Sequence, residues 1–405
     1  MAVKKKIFND PVYGFVEIPY GLIFELVEHP YFQRLRHIRQ LGMTNLVYPG
    51  ANHTRFQHAL GAYYLMRKAI RVLREKGVSI TAEEAEAVSA AILLHDIGHG
   101  PHSHALERSI MELHHEQLSL LIMERLNEMM GGRLDLAIEI FKGRYEKPFL
   151  TQLVSGQLDM DRMDYLNRDS YFTGVIEGRV GYDRIIKMLD VHDGRLVVEQ
   201  KGIYSIEQFL AARRIMYWQV YLHKTVLAAE LMLIAVFKRA KELARAGVSL
   251  GISGPLRHFL EQPVTMDLVY RDPAWIERFT KLDDCDVNTA LKRFAGHPDK
   301  LLAFLAGSIL YRKLFRLEYS KSSFSDTYVN EIKINLARQM EWLTEEYLEK
   351  VVICGIQSNI SYNPMEEIAI QFKNGSVSPM SGFADYDLGT RKILKFYICY
   401  PKIKL

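Results

Sequence analysis

Apolar residues recur every three to four positions through most of the first 240 residues, which is the spacing of one face of an α-helix. Clear examples are residues 56–77 and 82–96. A third example, residues 114–132, has Leu118 and Leu126 on one face and a stop signal at its two final glycines. The first part of the chain is therefore predicted to be mainly α-helical.

Two interruptions of this helical pattern are expected. Residues 185–202 contain two apolar, β-branched runs around Asp193-Gly194, a dipeptide typical of a two-residue hairpin turn. A long helical stretch over residues 206–247 is followed by clustered glycines and prolines up to Pro263. This cluster predicts a subdomain boundary.

The C-terminal third has a mixed pattern. Strands are predicted at residues 351–356, around Ile370 before Asn374-Gly375, and at residues 392–400. The chain is therefore predicted to be mainly α, with a small β-hairpin and a C-terminal α+β subdomain. The predicted units are a helical core at 1–250, a helical extension at 251–310 and the α+β subdomain at 311–405.

Composition and charge narrow the function classes. The 405 residues, 48% of them hydrophobic, can bury a large core without disulfides or a structural metal. A net charge of +4 gives no electrostatic case for a dedicated nucleic-acid partner. The three cysteines are scattered, and we find neither a signal-peptide pattern nor an apolar run of about eighteen residues. A cytoplasmic protein without membrane spans is expected.

The most informative feature is a cluster of histidines after the apolar run that ends at Leu94. Six of the 14 histidines lie within 21 residues, at positions 95, 99, 102, 104, 114 and 115. His95 and Asp96 are expected to emerge at the end of a buried helix, where imidazole and carboxylate can bind one divalent cation. For an isolated pair the simpler interpretation is a hydrogen bond between a partly buried His95 and Asp96. Further ligands must decide between the two.

Two other predicted helices offer such ligands. His58 lies among apolar neighbours, and Asp161 lies in a polar interruption of an apolar pattern. With His95 and Asp96 they form a candidate set of two histidines and two aspartates, which suits Mn, Fe, Zn or Mg better than a thiolate site would. A metal with these ligands lowers the pKa of a water molecule to roughly 7 in favourable cases, which indicates hydrolysis of a phosphoester or phosphoanhydride.

Other side chains near these ligands suit an anionic substrate. Candidate proton or hydrogen-bond donors to phosphate are His99, His104 and His115. Candidate cations are Arg55, Arg162 and Arg213, although each alone is more simply part of a solvated helix face. Asp161, Tyr165 and Asp169 are four residues apart and share a helix face.

The motifs in this order resemble the HD superfamily of metal-dependent phosphohydrolases. Within it they resemble the deoxynucleoside triphosphate (dNTP) triphosphohydrolases of the SAM-and-HD-domain type, here without a SAM domain. The resemblance runs from "KIFNDPVYG" (6–14) through "YPGANHTRFQHALG", "HDIGHGPHSH" and "DMDRMDYLNRDSYFTG" to "YLHKT" (221–225). It implies an HD-domain helical core, a homodimer or homotetramer, and hydrolysis of dNTPs to a deoxynucleoside and inorganic triphosphate.

The resemblance also implies residue roles. The ligands of one divalent ion would be His58, His95, Asp96 and Asp161, with additional Mg arriving on the nucleotide. His104 would lie nearest the α-phosphate and protonate the leaving 5′-oxygen, and Glu107 would orient it. The triphosphate would be bound by Arg55, His99, His115, Arg162 and Arg213. The deoxyribose would be bound by Gln40, Tyr165 and Asp169, with Tyr221 packed where a 2′-hydroxyl would lie.

The chain departs from this family at some positions. On the substrate side these are Arg162 in place of a lysine, Leu222 in place of a glutamine and Tyr13 in place of a histidine. Gln33 and Arg36 match residues that bind a guanine-nucleotide activator, but Glu28 stands where the family has an aspartate that contacts guanine. An activator site and nucleotide-triggered assembly are therefore expectations from the resemblance alone.

Two other functions remain open. One is another HD phosphohydrolase, a nucleotide monophosphatase or phosphodiesterase with the same metal ligands; the several cations beyond the metal set favour a triphosphate over a monoester. The other is a nucleotide- or nucleic-acid-binding module with a vestigial HD site, against which the complete set of four ligands argues.

Overall fold

Helices dominate the fold, which confirms the predicted class. The structure, a computed structural model, describes residues 4–402 apart from 108, 112, 263, 265–268, 270–271, 273, 360–361, 364–365 and 384–391, and it describes residues 103 and 104 by their backbone alone. The buried apolar side chains of this described part form one connected core.

The helices, in chain order, are α1 (Leu22–Glu28), α2 (Pro30–Gln33), α3 (Arg55–Glu75), α4 (Ala82–Leu94), α5 (Ser103–Glu107), α6 (His115–Met129), α7 (Asp135–Phe141), α8 (Pro148–Val154), α9 (Met160–Thr173), α10 (Tyr182–Met188), α11 (Ile203–Met216), α12 (Lys224–Arg245), α13 (Pro255–Glu261), α14 (Ala274–Phe279), α15 (Asp284–Phe294), α16 (Lys300–Leu310), α17 (Asp326–Gln339) and α18 (Glu345–Val351). The strands are β1 (Lys5–Asp10), β2 (Gly14–Pro19), β3 (Leu189–His192), β4 (Arg195–Glu199), β5 (Arg316–Ser320), β6 (Ile353–Asn359), β7 (Ala369–Gln371), β8 (Val377–Pro379) and β9 (Ile393–Tyr400). They form a β1–β2 hairpin, a sheet of order β3-β4-β7-β8 and a sheet of order β5-β9-β6.

Helix α3 lies at the centre of the N-terminal part and packs against α4 and α9. Helix α4 is rich in alanine, and its C-terminal half, from Ala87 to Leu94, is apolar except for Ser89 and fully buried. A capping box fixes its start, because Thr81 Oγ1 accepts from Glu84 N at 3.1 Å and Thr81 N donates to Glu84 Oε2 at 2.8 Å. The helix ends at Leu94, directly before His95.

The central hairpin forms as predicted, and it extends into a larger sheet. Asp193 and Gly194 form its turn with positive φ of 49° and 73°, as a two-residue turn of this kind requires. Strand β4 then pairs in parallel with β7, with Val198 opposite Ile370. The four-stranded sheet therefore joins the region before residue 250 to the C-terminal third.

Sequence reasoning missed the strands at the N-terminus, where β1 and β2 pair in antiparallel register. Only Val16 and Ile18 alternate with polar residues there, and so short a period-2 pattern is hard to recognise. The predicted C-terminal strands are confirmed as β6, β7 and β9, whereas β5 was not predicted.

The predicted long helix over residues 206–247 is broken. Helix α11 ends at Met216, a π-helical turn spans Tyr217–Tyr221, and α12 begins at Lys224. No single described helix has the length and apolar composition of a membrane span, and the segments Gln200–Tyr221 and Lys224–Arg245 meet those criteria only together, across a 55° bend.

Candidate metal and substrate site

Three helices bring the four predicted metal ligands together. His58 lies in the first turn of α3, His95 and Asp96 follow the end of α4, and Asp161 lies in the first turn of α9. His58 Nε2 is 3.1 Å from Asp161 Oδ1 and 3.3 Å from His95 Nε2, and His95 Nε2 is 3.4 Å from Asp161 Oδ1. The Asp96 carboxylate is 3.5 Å from His95 Nε2 and 3.7 Å from His58 Nε2.

This donor set fits a divalent cation. Two ligand atoms each about 2.1 Å from one ion, at right angles, lie about 3.0 Å apart, close to the separations seen here. The other ring nitrogen of each histidine is occupied, since His58 Nδ1 lies 2.7 Å from Asp164 Oδ2 and His95 Nδ1 lies 2.6 Å from the carbonyl oxygen of Ile92. Such partners direct the free Nε2 lone pairs towards a metal.

A buried chain of charges behind His58 was missed by sequence reasoning. Arg168 donates from Nε and Nη2 to the two oxygens of Asp164, each at 2.9 Å, and from Nη1 to Asp10 Oδ2 at 2.7 Å. Arg168 is fully buried, and the absence of a side chain at Gly61 leaves room for it, because a Cβ there would lie 2.2 Å from Arg168 Nη2 and 2.0 Å from Asp164 Oδ1. The hairpin end at Asp10 thus supports a metal ligand.

The electrostatics of this cluster favour a cation. Burial lowers the pKa of His58, but hydrogen bonds with Asp161 and Asp164 outweigh it and raise that pKa to about 10. Burial raises the pKa of Asp161, but the neighbouring His95 and His58 outweigh burial and hold that pKa well below its usual range. Both shifts have the same cause: the carboxylates of this cluster stabilise a positive charge placed among them.

The turn that carries His95 and Asp96 is anchored on α6. Ser119 Oγ donates to the His95 carbonyl at 2.7 Å and accepts from Gly98 N at 2.9 Å. The turn can approach so closely because Gly98 has no side chain, and a Cβ there would lie 2.2 Å from Ser119 N. Sequence reasoning missed Ser119, since one serine on an amphipathic helix carries no distinctive signal.

A cavity of about 500 Å³ opens beside the metal ligands, which is within the range of small-molecule sites. It is lined by Asp96 and Asp161 and by nine further predicted site residues, namely Gln40, Arg55, His99, His115, Arg162, Tyr165, Asp169, Arg213 and Tyr221. His58 and His95 lie behind this wall, and Gln33 and Arg36 lie outside it.

The three predicted arginines line the cavity. Arg55 pairs with Asp96, and Arg162 pairs with Asp159 and donates to the Gly156 carbonyl at 2.6 Å. The Nε atoms of Arg55 and Arg213 are buried without a hydrogen-bond partner in the described part of the chain. Such donors are costly unless a ligand or water meets them.

The predicted catalytic histidines lie beside Asp96. His99 Nε2 is 3.2 Å from Asp96 Oδ1, and its ring stacks on that of His115 with centroids 3.9 Å apart. Burial, and then the charge of Arg55, hold the pKa of His99 well below its usual range.

Glu107 contacts a different histidine from the one expected. Its Oε1 is 3.1 Å from His115 Nδ1, and His99, Glu107 and His115 form a second group that could hold a cation. The backbone of His104 lies in α5, but its side chain is outside the described part of the structure. The roles of His104 and of Glu107 as its orienting group stay predictions.

The sugar-side residues form a hydrogen-bonded group. Asp169 accepts from the Tyr221 hydroxyl at 2.7 Å and lies 2.7 Å from His53 Nε2 through its other oxygen. The Tyr165 ring packs edge-on against Tyr221, with centroids 6.0 Å apart. His53, which sequence reasoning missed, therefore fixes the predicted sugar ligand Asp169 from behind.

His102 lines the cavity and is buried, with 7% of its surface exposed. Its backbone has a positive φ of 47°, and neither ring nitrogen has a hydrogen-bond partner within the described residues. It is therefore not the solvent-exposed side chain that its polarity suggests.

The candidate activator residues contact each other, since Arg36 Nε donates to Gln33 Oε1 at 2.7 Å. Their nucleotide-binding role stays a prediction.

Comparison with known proteins agrees with this geometry. The HD domain family model matches residues 55–169, and the model of the HD associated region matches residues 180–247. A solved phosphohydrolase from Bacteroides thetaiotaomicron is 50% identical, with a TM-score of 0.95 over 98% of this chain and 100% of that one. A hypothetical protein of known structure from Aquifex aeolicus is 27% identical, with a TM-score of 0.72 over 98% and 97% of the two chains.

Sequence relatives extend the comparison. The uncharacterized protein YwfO of Bacillus subtilis is 32% identical over 80% of this chain and 75% of its own length. The deoxynucleoside triphosphate triphosphohydrolase SAMHD1 of Gallus gallus is 32% identical over 58% of this chain but only 45% of its own length. With the family models, the relatives and the ligand geometry in agreement, the chain belongs to the HD-domain phosphohydrolase family.

Proposed function

We propose that the protein hydrolyses dNTPs to a deoxynucleoside and inorganic triphosphate. The observation that carries the proposal is one cavity lined by the metal ligands Asp96 and Asp161, by three arginines, and by Tyr165, Asp169 and Tyr221. This wall matches the parts of a dNTP, since cations suit the triphosphate and the tyrosine-aspartate group suits the sugar. The similarity to SAMHD1 supports the same substrate class.

The chain's own groups divide the work of the reaction. His58, His95, Asp96 and Asp161 would hold one divalent ion, which would supply Lewis acidity and an activated water. Arg55, Arg162 and Arg213 orient the triphosphate and stabilise the charge that develops on it. His99 contacts a phosphate oxygen, and His104 protonates the departing 5′-oxygen.

Product analysis tests the proposal. Each dNTP and each NTP is incubated with the protein and Mn²⁺ or Mg²⁺, singly and mixed, and the products are separated by anion-exchange chromatography. Deoxynucleoside and tripolyphosphate in equal amounts are expected, and faster turnover in mixtures would reveal a nucleotide activator. Release of orthophosphate alone, or no turnover with any dNTP, contradicts the proposal.

The group formed by His99, Glu107 and His115 favours a second candidate, a nucleotide monophosphatase or phosphodiesterase with two ions. Its ligand atoms lie beside those of the first site, since His99 Nε2 is 3.2 Å from Asp96 Oδ1. Arg55 argues against it, because its guanidinium already pairs with Asp96 at this point. Metal analysis separates the candidates: we expect one ion per chain, and two would favour the alternative.

A further inference from the structure

The C-terminal sheet reaches the cavity. Gln357 and Ser358, at the end of β6, line it together with residues of the HD core. They are its only lining residues from the C-terminal third among those that the structure describes. Neither family model extends to them, since the matches end at residue 247.

Contacts on one face of this sheet fix the position of Gln357. Gln357 lies opposite Lys395 in the antiparallel register, and Lys395 Nζ lies 3.6 Å from the ring centroid of Trp218. Next to Lys395 on the same sheet, the Tyr319 hydroxyl donates to the Leu222 carbonyl at 3.0 Å. The sheet is therefore attached to the π-helical turn that carries two cavity tyrosines, and Gln357 is held relative to them.

Gln357 lies on the sugar side of the cavity. The π-helical turn to which its sheet is attached carries Tyr221, whose hydroxyl donates to the predicted sugar ligand Asp169. Arg55, by contrast, pairs with the metal ligand Asp96. The nucleobase is the part of a dNTP that follows the sugar, so it is the part expected to reach Gln357.

The Gln357 side chain can bind such a base. Successive side chains of a strand point to opposite faces of the sheet, so half-buried Gln357 lies on the same face as Lys395, whereas Ser358 lies on the other, exposed face. The Gln357 amide offers both donors and an acceptor, so it can meet the edge of any of the four bases.

We propose that Gln357 contacts the nucleobase and sets the preference among the four dNTPs. This inference rests on the proposed function, because it places the base after the triphosphate and sugar have been assigned to the HD core. It makes the C-terminal sheet a specificity element of the active site, while the groups that carry out hydrolysis remain in the core.

A substrate without a base tests the inference. The Gln357→Ala variant and the wild type are compared with each dNTP and with 2-deoxyribose 5-triphosphate. Values of kcat/KM are measured with Mn²⁺, and dissociation constants are measured by calorimetry with Ca²⁺ in place of Mn²⁺. The control is Ile356→Thr, a neighbouring residue of β6 that is 55% exposed and does not line the cavity.

Gln357→Ala removes one neutral hydrogen bond to the base. We therefore expect kcat/KM to fall about five- to tenfold for at least one dNTP, and the losses to differ among the four dNTPs. With 2-deoxyribose 5-triphosphate the variant should equal the wild type within about twofold, and Ile356→Thr should equal it with every ligand. Equal losses with and without a base, or no loss at all, overturn the inference. If the wild type hydrolyses no dNTP, the proposed function fails, and the calorimetric comparison still decides whether β6 contacts the base.

Discussion

The Nδ1 atom of His58 lies 2.7 Å from a carboxylate oxygen of Asp164, and neither side chain is exposed to solvent. This hydrogen bond selects the tautomer of His58 that presents Nε2 to the metal position. A residue outside the predicted ligand set is therefore expected to control how tightly the protein holds its ion.

Asp164→Asn tests this control. The amide oxygen can still accept the Nδ1 proton, but the loss of charge makes the imidazole a weaker ligand, so we expect about 10- to 100-fold weaker Mn²⁺ binding by calorimetry. The control is Asp183→Asn, which removes a surface ion pair with Lys68 and should leave Mn²⁺ binding unchanged. Unchanged metal affinity in Asp164→Asn would contradict the role of this hydrogen bond.

Gly61→Ala tests whether the buried pair of Asp164 and Arg168 needs a residue without a side chain at position 61. A methyl group at this position would overlap Asp164 and Arg168, so we expect the free energy of unfolding to fall by about 3 kcal/mol and Mn²⁺ binding to weaken. Chemical denaturation measures the first effect and calorimetry the second.

A second helical glycine provides the matched control. At Gly307, in α16, a Cβ would meet no atom closer than 4.0 Å, and alanine is the better helix former. Gly307→Ala should therefore stabilise the protein by up to about 1 kcal/mol. Equal effects of the two substitutions would show that the close packing at Gly61 is not required.

Much of the site, but not this supporting group, could be predicted from the sequence. The histidine cluster and its HD pair stand out because six histidines fall within 21 residues after an apolar helix. Asp164 does not stand out beside Asp161, because it lies only three positions further along the same helix and nothing local shows which carboxylate meets the metal. Asp10 meets Arg168 across 158 residues, a contact that only the folded chain creates.

The break between α11 and α12 is a feature of the fold that could not be predicted from the sequence. Residues 217–223 contain no glycine or proline, and the apolar pattern continues through them. Helix propensity therefore favours one continuous helix. The contacts of Trp218 and Leu222 with the C-terminal sheet accompany the break, so tertiary packing overrides the local preference.

The proposed preference for deoxyribose is tested at Tyr221. If its ring excludes a 2′-hydroxyl, Tyr221→Ala should raise the NTP-to-dNTP ratio of kcat/KM by about tenfold or more, since steric selection of this kind has that size. Tyr221→Phe keeps the ring but loses the hydrogen bond to Asp169, so it should retain most of the discrimination while weakening substrate binding. The steric explanation fails if the two variants change the ratio alike.

The start of α4 predicts a pH dependence of stability. Burial raises the pKa of Glu84, but hydrogen bonds from Lys147 and Tyr145 outweigh it, and the net shift is downward. An acid with a lowered pKa contributes stability above its unfolded value of about 4.5, and this contribution is lost as the pH falls through the folded pKa.

Glu84→Gln should therefore reduce the free energy of unfolding by about 1–2 kcal/mol at pH 7 and by less at pH 3, as measured by urea denaturation. The neighbouring Glu83 is exposed and provides the control, because Glu83→Gln should have little effect at either pH. A loss for Glu84→Gln that is the same at both pH values would contradict the ionic origin of the contribution.

The parallel pairing of β4 with β7 has a consequence for synthesis on the ribosome. Val197 lies opposite Ala369, so the hairpin that precedes α11 has to wait for its third strand until most of the chain has been translated. At ordinary elongation rates this interval is roughly 10–35 s, during which the edge of β4 lacks its partner strand. The nascent chain is thus exposed to aggregation at the edge of β4 after the helices that carry the metal ligands have been translated. Chaperones are expected to bind the nascent chain during this interval.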